Sequence, residues 1–153
     1  MKTVGISIEE WCRLSGQGLQ IPVEIKLAGS SMQPLIRMNL DLVTILPLSG
    51  NLSAGDIVLF RRADGAFVVH RVYQLKGDTV ITLGDNCENP DPPMQREQIL
   101  GKVVKIQRGN RTIIPGSKRE RRYGRIWMRL LPVRKIVLHW IFVIKKNTGR
   151  IKT

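Results

Sequence analysis

The rhythm of apolar and polar positions changes twice along the chain. Near the amino terminus Ser7-Ile8-Glu9-Glu10 reads as a capping box, in which a serine hydroxyl and a carboxylate three residues later satisfy the orphan amides at the start of a short helix. Gly16 and Gly18 end that helix. From Ile21 onward short apolar runs of strand length follow one another: 21–27, 40–46, 57–61, 66–75, 79–83 and 101–107. Asp64-Gly65, Gly77-Asp78 and Gly109-Asn110 predict hairpin turns, the last leading into Thr112 to Ile114. The pattern predicts a mainly β, antiparallel domain. Near Pro115-Gly116 the strand pattern stops and a helix-prone segment begins. The chain therefore divides into an amino-terminal helix and lead-in over 1–20, a β domain over 21–115 and a helical tail over 116–153.

Charge sharpens that division. The net charge is +13, yet residues 1–100 hold 9 Lys/Arg and 11 Asp/Glu, whereas residues 101–153 hold 16 Lys/Arg and one acid, Glu120. Residues 1–100 are slightly acidic, and residues 101–153 carry all the excess positive charge. Residues 1–15 contain no apolar run of signal-peptide length. Within 126–144, Arg129, Pro132, Arg134 and Lys135 interrupt the apolar sequence, and each central charge costs about 2.5–3.5 kcal/mol on insertion, so no spanning helix is expected. A cytoplasmic or peripheral-membrane location follows. The uninterrupted part, Ile136 to Ile144, holds Trp140, Ile141 and Phe142 and is followed by Lys145-Lys146. With Arg119 to Arg125 before it, such a segment suits an anionic membrane surface. Packing of the same helix against the β domain is the competing arrangement. Nucleic acid is the poorer partner, because no aromatic platform or known module accompanies the charge.

Cys12 and Cys87 lie far apart, lack metal-type spacing and are expected as free thiols. The most specific local feature is Gly29-Ser30-Ser31-Met32-Gln33-Pro34, directly after a strand. A serine at a strand-to-turn junction can project its hydroxyl outward, with backbone amides where an oxyanion forms. It needs a base. His70 is the one histidine ahead of the tail, and strand alternation puts it on a face with Val68 and Val72, which favours the neutral ring. Downstream, Gly84-Asp85-Asn86-Cys87-Glu88-Asn89-Pro90-Asp91 is an acidic, turn-rich loop whose aspartates can orient an imidazole. As a calcium loop it fails, with Pro90 where glycine is required and Arg96 where a bidentate glutamate is required. Neither a metal nor a cofactor is expected.

These boxes, together with Gly55-Asp56-Ile57-Val58 and Val69-His70-Arg71-Val72, occur in an order that resembles the signal peptidase I superfamily from about Leu27 to Val104. The resemblance implies a serine endopeptidase that processes a precursor peptide. It assigns Ser31 as nucleophile and His70 as base, the histidine marking the endoplasmic-reticulum and archaeal branch, where bacterial enzymes and LexA-type proteins carry lysine. Asp85 and Asp91 both match aspartates of that branch, with Asp91 favoured as the partner of His70. The serine box itself reads Gly-x-Ser-Met, as in the LexA type, because Gly29 stands where signal peptidases usually have a serine. Oxyanion binding would then rest on the Ser31 amide and the Ser30 hydroxyl. The 30 residues ahead of Ser31 hold no apolar anchor.

Overall fold

The computed structural model describes residues 7–147, with the side chains at 135, 138, 141, 142 and 145–147 outside the description. Helix α1 (Ile8–Gly16) starts at Ser7, whose hydroxyl accepts the Glu10 amide as expected; the Glu10 carboxylate turns to Arg13 instead. Eight strands follow: β1 (Val23–Lys26), β2 (Leu42–Pro47), β3 (Ile57–Arg61), β4 (Phe67–Lys76), β5 (Thr79–Leu83), β6 (Met94–Gln95), β7 (Ile99–Arg108) and β8 (Arg111–Ile113). They form one sheet in the order β1-β2-β7-β3-β4-β5-β6, with β8 added to β7, and every described pairing is antiparallel. The three expected hairpins close β3–β4, β4–β5 and β7–β8, and Gly65, Gly77 and Gly109 adopt the left-handed conformation those turns require. Strand β6 was not expected from the sequence, being two residues long.

The chain is thus mainly antiparallel β, with a short helix in front and a basic helical tail behind, α2 (Lys118–Arg129) and α3 (Arg134–Asn147). Both faces of the central strands are buried. Ile57 and Leu59 of β3 join Trp11, Met32, Ile36, Val43, Ile45 and Val103 in one apolar cluster, while Val58 and Phe60 join Val72, Val80, Met94 and Ile99 in another. Alternation along β3 therefore feeds two cores rather than a core and solvent. Trp11 carries α1 into the first cluster, and its indole N–H donates to the Ile21 carbonyl at 2.7 Å. Among the described residues no helix is long and apolar enough to cross a membrane.

Gly101 of β7 is required by close approach. A Cβ there would lie 2.6 Å from the Leu46 carbonyl oxygen and 2.8 Å from both the Ile45 side chain and the Trp11 ring. Gly101→Ala should cost about 1–3 kcal/mol through overpacking, seen as a fall of about 3–9 °C in Tm for a domain of this size. A melting curve unchanged from wild type would show that the α1–sheet contact is loose.

Candidate active site

Ser31 sits in the turn region between β1 and β2, and that turn is anchored at both ends. Met32 and Ile36 plunge into the first core cluster, and the Ile36 amide donates to the Met32 carbonyl. At the far end, buried Asp41 accepts from the guanidinium groups of Arg37 and Arg108, while Arg108 also donates to the Leu35 carbonyl at 2.7 Å. Burial works against the Asp41 charge, but the two arginines outweigh it and hold its pKa below the ordinary value. Ser31 is half-buried; Ser30 beside it is exposed, and its carbonyl accepts the Gln33 amide.

His70 comes from the middle of β4, opposite Val58 of β3, and is buried against the edge of Phe60. Strand alternation puts it on the face of Val68 and Val72, which is the face of the second cluster. Its Nδ1 lies 2.5 Å from Asp91 Oδ2. Asp91 is fixed in turn by the Thr82 hydroxyl at 2.7 Å and Arg62 at 3.1 Å, and its own amide donates to the Thr82 carbonyl. Thr82 and Arg62 were not singled out in the sequence. A threonine in the apolar run of β5 was the available signal for the first.

The expectation that the valine face keeps the ring neutral needs correcting. Burial does push the His70 pKa down, but the hydrogen bond to Asp91, followed by that with the Cys87 thiol, outweighs it and raises the pKa from 6.5 to about 9. Burial likewise opposes the Asp91 charge, and hydrogen bonds from His70, Thr82 and Arg62 hold the carboxyl below its usual value. A carboxylate at hydrogen-bond distance thus overrides two neighbouring methyl-rich side chains.

Gly84 is where the parts meet. A Cβ on it would fall 2.6 Å from the Cys87 sulfur, 2.8 Å from the Ser31 carbonyl oxygen and 3.0 Å from His70 Nε2. The adjoining Asn86 amide donates to that same Ser31 carbonyl at 2.7 Å. The serine turn, the imidazole and the acidic loop therefore converge on one small volume. Asp85 takes a different direction: both its carboxylate oxygens accept from Arg71, at 2.9 and 3.0 Å, so Asp91 alone of the two aspartates contacts His70. Asp56, from the second box, accepts the Ser53 amide and pairs with Lys102, which makes it a turn-forming residue.

The antiparallel β domain thus sets the Ser31 turn beside a buried histidine–aspartate pair. The model of the Peptidase S24-like family matches residues 23–104, just over half of the chain, and the chain belongs to that family. No curated protein compared with the chain matches it.

The folded His70 holds its proton more tightly than the unfolded residue does. Its contribution to stability is therefore fully present below pH 6.5 and is lost as pH rises through about 9. An imidazole titration followed by NMR should give a midpoint near 9, and Asp91→Asn should move it down by removing the main raising partner. If the midpoint is the same in both proteins, Asp91 does not govern the ring.

Proposed function

We propose that the chain is a serine endopeptidase of the histidine-base signal-peptidase type, cutting a peptide bond in a precursor polypeptide. The observation that carries this reading is the buried His70–Asp91 pair set against the Ser31 turn. In the active form Nδ1–H faces Asp91, and Nε2 is left as the acceptor for the Ser31 hydroxyl proton. Attack of Oγ on the scissile carbonyl passes that proton to Nε2, and Asp91 stabilises the resulting imidazolium. The oxyanion is met by the Ser31 amide and the Ser30 hydroxyl. His70 then protonates the leaving amine, and water deacylates the serine by the same route in reverse. With the ring pKa raised to about 9, most molecules hold an idle imidazolium at neutral pH. Rates should climb toward alkaline pH.

A serine-directed fluorophosphonate tests the nucleophile. Wild type should be labelled and Ser31→Ala should not, while His70→Ala should slow labelling by at least about 10²-fold, the lower range for a positioned base. Lysine at position 70 should not restore the rate, because its amine needs its own desolvated site to be neutral. Equal labelling of wild type and Ser31→Ala would leave a binding module without this nucleophile. Comparing new protein amino termini with and without active enzyme would then identify the substrate.

A membrane surface is the partner favoured for the tail, on one specific observation. Ile136, Trp140 and Ile144 of α3 are spaced four apart on one helical face and are 60%, 61% and 58% exposed. Arg121, Arg122, Arg125 and Arg129 of α2 are exposed nearby in sequence. The flanking Lys145 and Lys146, and the expected anchors Ile141 and Phe142, have side chains outside the described residues. An apolar stripe beside dense positive charge suits the interface of an anionic bilayer. The protein should sediment with phosphatidylserine-containing vesicles. Ile136→Glu with Trp140→Glu should abolish this, and salt should weaken it only in part, since screening acts on the charges but not on apolar burial. No sedimentation of wild type at low salt would end the membrane reading.

A further inference from the structure

The acidic loop is gripped from behind by the tail. Residues 84–87 expose three carbonyl oxygens to it. Arg134, the first residue of α3, donates from one nitrogen to the carbonyls of Gly84 at 3.1 Å and Cys87 at 3.0 Å. The Trp127 indole N–H of α2 donates to the Asp85 carbonyl at 2.6 Å. On its other side the same loop touches the site, through the Asn86 amide on Ser31, the Gly84 approach to His70 and the Cys87 thiol against the ring. The loop is a spacer between the tail and both proposed catalytic residues.

Arg134 is unusual in what it gives up. It is fully buried, and among the described residues its polar acceptors are carbonyl oxygens alone, the third being Trp127 O at 2.9 Å. The guanidinium also lies over the Trp127 ring, 5.4 Å from its centroid, and its Nε has no hydrogen-bond partner among the described residues. A buried cation without a paired carboxylate is a costly way to fill space. A forked donor that reaches two carbonyls of one loop and one of the preceding helix is, however, a good way to fix their separation.

We propose that Arg134 and Trp127 are positioning residues of the active site, so that the basic tail is a working part of the catalytic unit as well as an appendage to it. This rests on Ser31 and His70 being the catalytic pair. Without the clamp the loop relaxes from the Ser31 carbonyl, and Cys87 leaves the His70 ring. The serine then loses its alignment and the ring loses one of the contacts that keep it protonated.

The test uses the full chain with Arg134→Met and, separately, Trp127→Phe, which keeps an aromatic ring and removes the Nε1–H. Fluorophosphonate labelling of Ser31 should slow by about tenfold or more in each, in the direction of the 10² that a misplaced group costs. The His70 NMR titration should shift to lower pH in the same variants. A merely structural role would lower Tm yet leave the His70 midpoint and the labelling rate of folded protein unchanged, and that result overturns the proposal. If Arg134→Met does not fold, Trp127→Phe decides alone. If wild type itself is not labelled, the serine assignment falls, and the His70 midpoint still decides whether the clamp acts on the ring.

Discussion

The buried guanidinium of Arg71 is the interaction on which the arrangement of the domain depends. It donates to both oxygens of Asp85, to Glu120 at 2.5 Å and to the Gly55 carbonyl at 2.9 Å, and it stacks over Tyr123. One side chain thereby joins strand β4, the acidic loop, the turn before β3 and helix α2. Gly124 leaves the room this needs, since a Cβ there would lie 2.8 Å from the guanidinium. Removing one partner from such a buried set leaves an uncompensated charge, which costs about 3–5 kcal/mol. Glu120, the single acid of the basic tail, is thus spent on docking that tail. It also accepts the Gly116 amide and sits in the first turn of α2, where the helix dipole favours a carboxylate.

Arg71 follows His70 directly, and successive residues of a strand point to opposite faces. That parity sorts the two aspartates of the loop. Asp85 meets the Arg71 face, and Asp91, six residues further on, crosses to the His70 face, where Thr82 and Arg62 receive it. The same loop thus supplies a structural carboxylate on one side of β4 and a titration-controlling one on the other. The electrostatic consequences differ accordingly. Arg71 stays charged throughout, its pKa raised by the two carboxylates against the pull of burial, whereas the His70 ring, raised to about 9 by its hydrogen bond to Asp91 despite burial, titrates above neutral pH.

Much of this was legible in the sequence, and the limits have physical causes. The strands over 57–61 and 79–83 end where the apolar runs end, because Gly55, Gly65 and Gly77 fix the turns around them. Strand β6 was not legible, since two residues carry no periodicity. The serine, histidine and aspartate boxes were visible as residue types in order, but which aspartate serves His70 depends on the path of a proline-containing loop that spacing does not determine. The pKa of His70 was misread for a related reason. The valines that predicted desolvation are neighbours along the strand, while Asp91, Cys87 and Thr82 arrive from a distance in sequence.

The tail shows the same principle at a larger scale. From composition, residues 116–153 looked like one basic unit that would either pack or bind a surface. In the fold, the two helices of that tail meet the domain differently. Helix α2 buries Glu120, Gly124 and Trp127 on the domain and leaves its arginines outside. Helix α3 enters the domain with Arg134 and then turns Ile136 and Trp140 to solvent. The residue that grips the acidic loop is therefore only two positions from the first exposed apolar side chain of α3. Arg71 thus ties the first helix of the tail to the domain, and Arg134 ties the second to the acidic loop.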